Sequence, residues 1–144
     1  MFDFIYIQAL PEKIARFFLH ELISVIEHIH ESGFCHRDIK LENILLDHEF
    51  KPILADFSFA TELAGYSLRK YCGTETYMAP EQHLKLFYDG EKVDIFALGV
   101  VLFMTLTGKP PFRCSKRSDP YYKCLSDDQR RRNIFWKKHS EICG

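Results

Sequence analysis

Apolar residues recur at helical spacing along the first third of the chain, at Ile14, Phe18, Leu22, Val25 and Ile29. That spacing predicts an amphipathic helix whose stripe faces a core. Pro11-Glu12 supplies its start, proline in the first turn and an acid near the positive end, and Gly33 its stop. Ile44-Leu45-Leu46 and Pro52-Ile53-Leu54 then flank Asp47-His48-Glu49-Phe50, the pattern of a short β-hairpin. From Val93 the chain is apolar for about a dozen residues, interrupted only by Asp94 near its start. This run is too short to span a bilayer and predicts a helix buried on all sides, stopped by Gly108, Pro110 and Pro111. Asp119-Pro120 reads as a further helix start, capping residue then proline, with Trp136 as the anchor of the last segment. The expected fold is mainly α with a short β-hairpin.

Composition changes this picture little. The 144 residues suit one domain or part of one, and 47% hydrophobic content suffices for a core. A formal charge of −1 argues against nucleic acid or an acidic membrane as partner. No signal peptide, membrane span, low-complexity tract or internal repeat is visible. Cys35, Cys72, Cys114, Cys124 and Cys143 are odd in number and form no C-x-x-C pair, so they read as reduced thiols of an intracellular protein. A cytoplasmic address follows, with the nucleus left open. His20, His28 and His30 make no zinc pair and read as surface or boundary residues. Arg130-Arg131-Arg132 and Lys137-Lys138 read as a solvated face, and Tyr121-Tyr122 as packing.

The chemistry is concentrated in residues 36–43, His-Arg-Asp-Ile-Lys-Leu-Glu-Asn. Asp38 is an acid, Lys40 an ammonium and Asn43 an amide, set in a polar interruption between apolar segments. Moving a phosphoryl group onto a hydroxyl needs such groups: a carboxylate to orient the hydroxyl and take its proton, a cation to offset charge, an amide oxygen to hold magnesium. The run resembles the catalytic loop of eukaryotic protein kinases, H-R-D-x-x-x-x-N. Downstream, Ala55-Asp56-Phe57-Ser58 resembles the kinase D-F-G motif with serine in place of glycine. The string from Cys72 to Glu81, with Ala79-Pro80-Glu81 at its end, resembles the close of the activation segment. Val93 to Gly99 resembles the central helix of the kinase carboxy-terminal lobe, with Phe96 where the family usually has tryptophan.

That resemblance implies a serine/threonine protein kinase that uses ATP and Mg²⁺ and acts on a protein substrate. Asp38 would be the base, Lys40 its electrostatic partner, and Asn43 and Asp56 the metal ligands; Leu45 would floor the adenine site and Asp56 would bridge the nucleotide's phosphates. Phe57 would pack inward, and Ser58 is expected to bias how the loop flips rather than to abolish magnesium binding, since a residue with a Cβ pays for the positive φ and close backbone approach that glycine tolerates. Thr74 would contact Asp38 and Lys40, His36 and Arg37 would support the loop, Asp94 would hold its backbone, and Glu81 closes the segment. In relatives switched by phosphorylation, the residue four before Thr74 is a threonine whose phosphate pairs with the arginine of H-R-D. Here it is Lys70, preceded by Arg69, so no switch is expected at that position, although Ser67 and Tyr71 remain acceptors.

The resemblance covers residues 1–144 as a partial kinase domain, a carboxy-terminal lobe beginning near Met1-Phe2-Asp3-Phe4-Ile5, the helix after the hinge. The amino-terminal lobe and the last helices are expected outside this sequence. These residues alone are therefore expected to bind Mg-ATP weakly and transfer little phosphate. The alternatives are a catalytically dead docking or regulatory lobe, working through a regulatory protein, or a truncated product without its own role. Intact Asp38, Asn43 and Asp56 speak against the dead lobe, because a scaffold has no physical need for two metal ligands.

Overall fold

The computed structural model describes residues 9–63, 68–127 and 129–140. The expected helix at Met1–Ile5, the acceptor Ser67 and Cys143 lie outside the described residues.

Helix α1, Glu12–Glu31, opens where Pro11 accepts from the amides of Ile14 and Ala15, and Gly33 closes it with φ of 84°. It buries Ala15, Phe18, Leu22 and Ile26, with Val25 and Ile29 packed at the margin. Ile14 departs from the expected stripe and is 44% exposed, because the buried face turns through Ala15 instead. Strand β1, Phe34–Cys35, leads into the catalytic-loop sequence, a single 3₁₀ turn at Leu41–Asn43, and strand β2, Ile44–Leu46. Strand β2 pairs antiparallel with β3, Pro52–Leu54, in the register Ile44↔Leu54, Leu45↔Ile53 and Leu46↔Pro52. The Asp47 carboxylate accepts from the amides of Glu49 and Lys51 and so fixes the hairpin turn. A second antiparallel pair, not anticipated from the sequence, joins β1 to β4, Thr61–Glu62.

Helix α2, Pro80–His83, is short; α3, Gly90–Thr107, is long and capped by the Asp89 carboxylate on the Glu91 amide. Asp119 caps α4, Pro120–Ser126, by accepting from the amides of Tyr121 and Tyr122, and α5, Gln129–Ser140, follows. The core gathers Leu22 and Ile26 of α1, Ile39 and Leu41 of the loop, Ile44 and Leu54 of the hairpin, and Leu98 and Val101 of α3. The loop residues thus share one apolar body with both long helices.

Two further expectations are corrected. Helix α3 is not buried all round: Ile95 is 55% exposed and Gly99 and Leu106 also face out, an apolar face that hydropathy alone cannot distinguish from the buried one. The last segment is anchored by Phe135, 1% exposed, while Trp136 beside it is 56% exposed. The four described cysteines are free thiols, and no described helix is long and apolar enough to cross a membrane.

Candidate active site

The loop between β1 and β2 is held from below. Asp94, buried in the second turn of α3, accepts from the amides of His36 (2.8 Å) and Arg37 (2.7 Å). Those bonds support Arg37 in the left-handed conformation, φ 66°, which costs a residue with a Cβ about 1–2 kcal/mol. A third donor was missed in the sequence: His30 of α1 contacts Asp94 through Nε2 at 2.9 Å. That hydrogen bond raises the His30 pKa above its ordinary value, against the opposing effect of burial. His36 is fully buried; its Nδ1 accepts from the Asp38 amide, which leaves Nε2 to donate to Ala55 O at 3.1 Å. Its ring meets Phe57 edge-on at 4.8 Å. Phe57 is nevertheless 51% exposed, so the inward packing expected of it is confined to this edge.

Asp38 is 3% exposed, and a buried carboxylate needs partners. Its Oδ2 accepts from Lys40 Nζ at 2.7 Å and from Asn43 Nδ2 at 3.3 Å, while Oδ1 accepts from the Thr74 hydroxyl at 2.9 Å. Lys40 Nζ also donates to Thr74 Oγ1 at 3.0 Å, which closes a triangle of acid, ammonium and hydroxyl. Thr74 can reach this far because Gly73 lies against the loop: a Cβ there would stand 2.7 Å from Arg37 O, and its φ of 103° suits glycine alone. Asn43 spends its amide nitrogen on Asp38 O as well, at 2.9 Å, so its oxygen is the atom left for a cation. The turn 41–43 that carries it is tied to the Asp56 region by Ala55 N donating to Asn43 O at 2.8 Å.

Asp56 is exposed and sits at φ 61°. Hydrogen bonds from the Ser58 side chain and amide hold its carboxyl below the ordinary range. Ser58 is not at positive φ; the left-handed residue here is Asp56, and the short polar side chain of Ser58 serves its carboxylate. Leu45 and Ile53, cross-strand neighbours, are 51% and 49% exposed and form an open apolar patch on the outer face of the hairpin. Glu81 lies half-buried in α2, where Gln82, unnoticed in the sequence, ties the Ala79 amide to Cys72 O.

Magnesium takes hard oxygen donors and few protein ligands. The free amide oxygen of Asn43 and the carboxylate of Asp56, kept ionised by Ser58, are a donor set that fits it. Among the described residues, no group of three or more His, Cys, Asp or Glu converges as a transition-metal site would require.

The protein kinase domain model matches residues 1–142. The chain belongs to the eukaryotic protein kinase superfamily. The kinase chain is 40% identical over 119 residues to mouse protein kinase C eta type, covering 81% of this chain and 17% of that protein. It is 44% identical over 111 residues to the mouse phosphorylase b kinase gamma catalytic chain, liver/testis isoform, covering 72% and 27%. Mouse sperm motility kinase 2B is 40% identical over 104 residues, covering 72% and 22%. The chain therefore spans about a quarter or less of the length of these relatives.

Proposed function

We propose that this chain carries the catalytic half of a serine/threonine protein kinase, which moves the γ-phosphoryl group of ATP to a protein Ser or Thr hydroxyl. The observation that carries the reading is the Asp38–Lys40–Thr74 triangle, with both carboxylate oxygens engaged at 2.7–2.9 Å. A carboxylate oxygen has two lone-pair sites. Oδ2 accepts from Lys40 and Asn43, whereas among the described residues Oδ1 accepts only from Thr74, so Oδ1 is the atom proposed to take the hydroxyl proton. The substrate oxygen then forms its bond to phosphorus as the bond to the ADP oxygen breaks. Lys40 offsets negative charge beside the reacting oxygens, and Thr74 keeps acid and ammonium in one orientation.

Asn43 Oδ1 and the Asp56 carboxylate are the groups proposed to hold Mg²⁺, which when bound neutralises phosphate charge. The Leu45–Ile53 patch offers a flat apolar seat for the adenine ring. A positioned base is worth roughly 10²–10⁴-fold, and an enzyme of this class needs groups for the nucleotide beyond those described. Residues 1–144 alone are accordingly proposed to bind Mg-ATP weakly and to transfer little phosphate. The test is γ-phosphoryl transfer to Ser and Thr peptides by the natural protein that carries this chain. Asp38→Asn should lower transfer about 10²–10⁴-fold while Mg-ATP affinity stays within twofold (about 0.4 kcal/mol); transfer unchanged by the substitution would overturn the reading.

A further inference from the structure

Arg37 is only 8% exposed, and two of its guanidinium N–H groups are engaged within the fold. Nε donates to Phe59 O at 2.8 Å and Nη1 to the Tyr88 phenol oxygen at 3.3 Å. The Tyr88 hydroxyl in turn donates to Lys70 O at 2.7 Å. Phe59 and Lys70 lie at opposite ends of the segment that follows Asp56, so one buried tyrosine–arginine pair holds both ends against the catalytic loop. Tyr88 adds backbone contact, its amide donating to Leu68 O at 2.8 Å. Gly90 allows this closeness: a Cβ there would stand 2.4 Å from Cys35 Sγ and 3.0 Å from Leu68 Cδ1. The Lys70 ammonium lies over the Phe59 ring, 5.9 Å from its centre, and is directed at an aromatic face rather than at an anion.

We propose that Tyr88 is a positioning residue: through Arg37 and Lys70 O it ties Phe59 and Lys70, two described flanks of the segment that follows Asp56, to the catalytic loop with protein groups, so that the placement of those flanks does not depend on phosphorylation. An arginine awaiting an anion would stand with donors turned to solvent. Here Arg37 is buried, its Nε and Nη1 donate to a carbonyl and a phenol, and the neighbouring exposed side chains, Arg69 and Lys70, are cations. Burial pushes the Tyr88 phenol above its ordinary value, so its O–H persists at neutral pH. The sequence held no signal for this role, since Tyr88 follows Leu86 and Phe87 as one more aromatic in an apolar run.

The experiment replaces Tyr88 by Phe in the natural protein carrying this chain, which keeps the ring and removes one hydroxyl. Its first readout is limited trypsin cleavage, independent of the kinase reading on which the kinetic arm rests. Cleavage after Arg69 and Lys70 should quicken about 5–10-fold, as loss of a buried hydrogen-bond pair implies, while cleavage after Arg16 and Lys92, in α1 and α3, stays unchanged. Equal acceleration at all four bonds, or none at Arg69 and Lys70, overturns the proposal. In the kinetic arm, kcat should fall by a similar factor with KM for Mg-ATP held, and phosphatase treatment of the wild type should leave kcat intact. A kcat that collapses on phosphatase treatment overturns the proposal, whereas absent transfer in the wild type sinks only the kinase reading and leaves the proteolysis arm to decide. Should Tyr88→Phe not fold, Lys70→Glu decides: kcat within twofold of wild type (about 0.4 kcal/mol) supports an Arg37 already satisfied, and a rise of tenfold or more contradicts it.

Discussion

Asp94→Asn is the sharpest test of how the catalytic loop is held. Asp94 is 1% exposed, and three donors converge on its two oxygens: the His36 amide and His30 Nε2 on Oδ2, the Arg37 amide on Oδ1. Asparagine keeps one acceptor and turns the other into a donor that faces a donor. A buried amide left without its acceptor costs about 1–3 kcal/mol, and bonds to a charged acceptor are worth about 1.5–3 kcal/mol against about 1 for neutral ones. The two effects together give roughly 3–4 kcal/mol, within the range for breaking one partner of a buried ionic contact. Arg37 would still carry the cost of its φ of 66° with its support removed. At an m-value of about 1–3 kcal/mol/M, the urea midpoint should drop by roughly 1–4 M. Amide exchange at His36 and Arg37 should rise more than at buried residues of α1. A loss below about 1 kcal/mol, with protection at both amides retained, would refute the idea that α3 holds the loop through this carboxylate.

Other consequences follow from the same contacts. The His30 pKa is raised above 6.5 by Asp94, with Glu91 and Asp89 adding to it and burial opposing. A raised value means that this pair's contribution is complete below pH 6.5 and fades as pH climbs through the folded-state pKa. The gap in Tm between wild type and His30→Gln should therefore be wider at about pH 5.5 than at about pH 8.5; a gap that widens with pH would contradict the assignment. Phe135→Ala should cost about 3–5 kcal/mol in urea unfolding and Trp136→Ala less than about 1.5, the reverse of what side-chain size suggests. Thr74→Ala should cut kcat roughly tenfold with KM for Mg-ATP unchanged, and Thr74→Ser should recover most of it.

Much of this arrangement is legible in the sequence because it is local. The α1 stripe, the 44–54 hairpin, the Asp119 cap and the order of the chemical residues each rest on a short-range pattern or motif. What escapes the sequence is contact between distant segments. Tyr88 meets Arg37 across 51 positions and His30 meets Asp94 across 64, and no periodicity reports either. The β1–β4 pair is two residues a side, too short to show alternation. The errors have one physical source: hydropathy says which residues prefer burial, not which are covered, so Ile14, Ile95 and Trp136 read as core and stand exposed. Ser58 illustrates a different limit, since the positive φ that glycine would ease lies at Asp56, where the serine hydroxyl helps to fix the carboxylate.

The central claim is that Asp38 is the acid at the heart of a phosphoryl-transfer site. The most direct measurement is transfer of labelled γ-phosphate from Mg-ATP to a Ser/Thr peptide mixture by the natural protein that carries this chain, with Asp38→Asn alongside. The account predicts label on serine and threonine, with kcat lowered about 10²–10⁴-fold in the variant at a temperature where its thermal transition shows it folded. Equal transfer by wild type and variant, or none by a folded wild type that binds Mg-ATP, would contradict it.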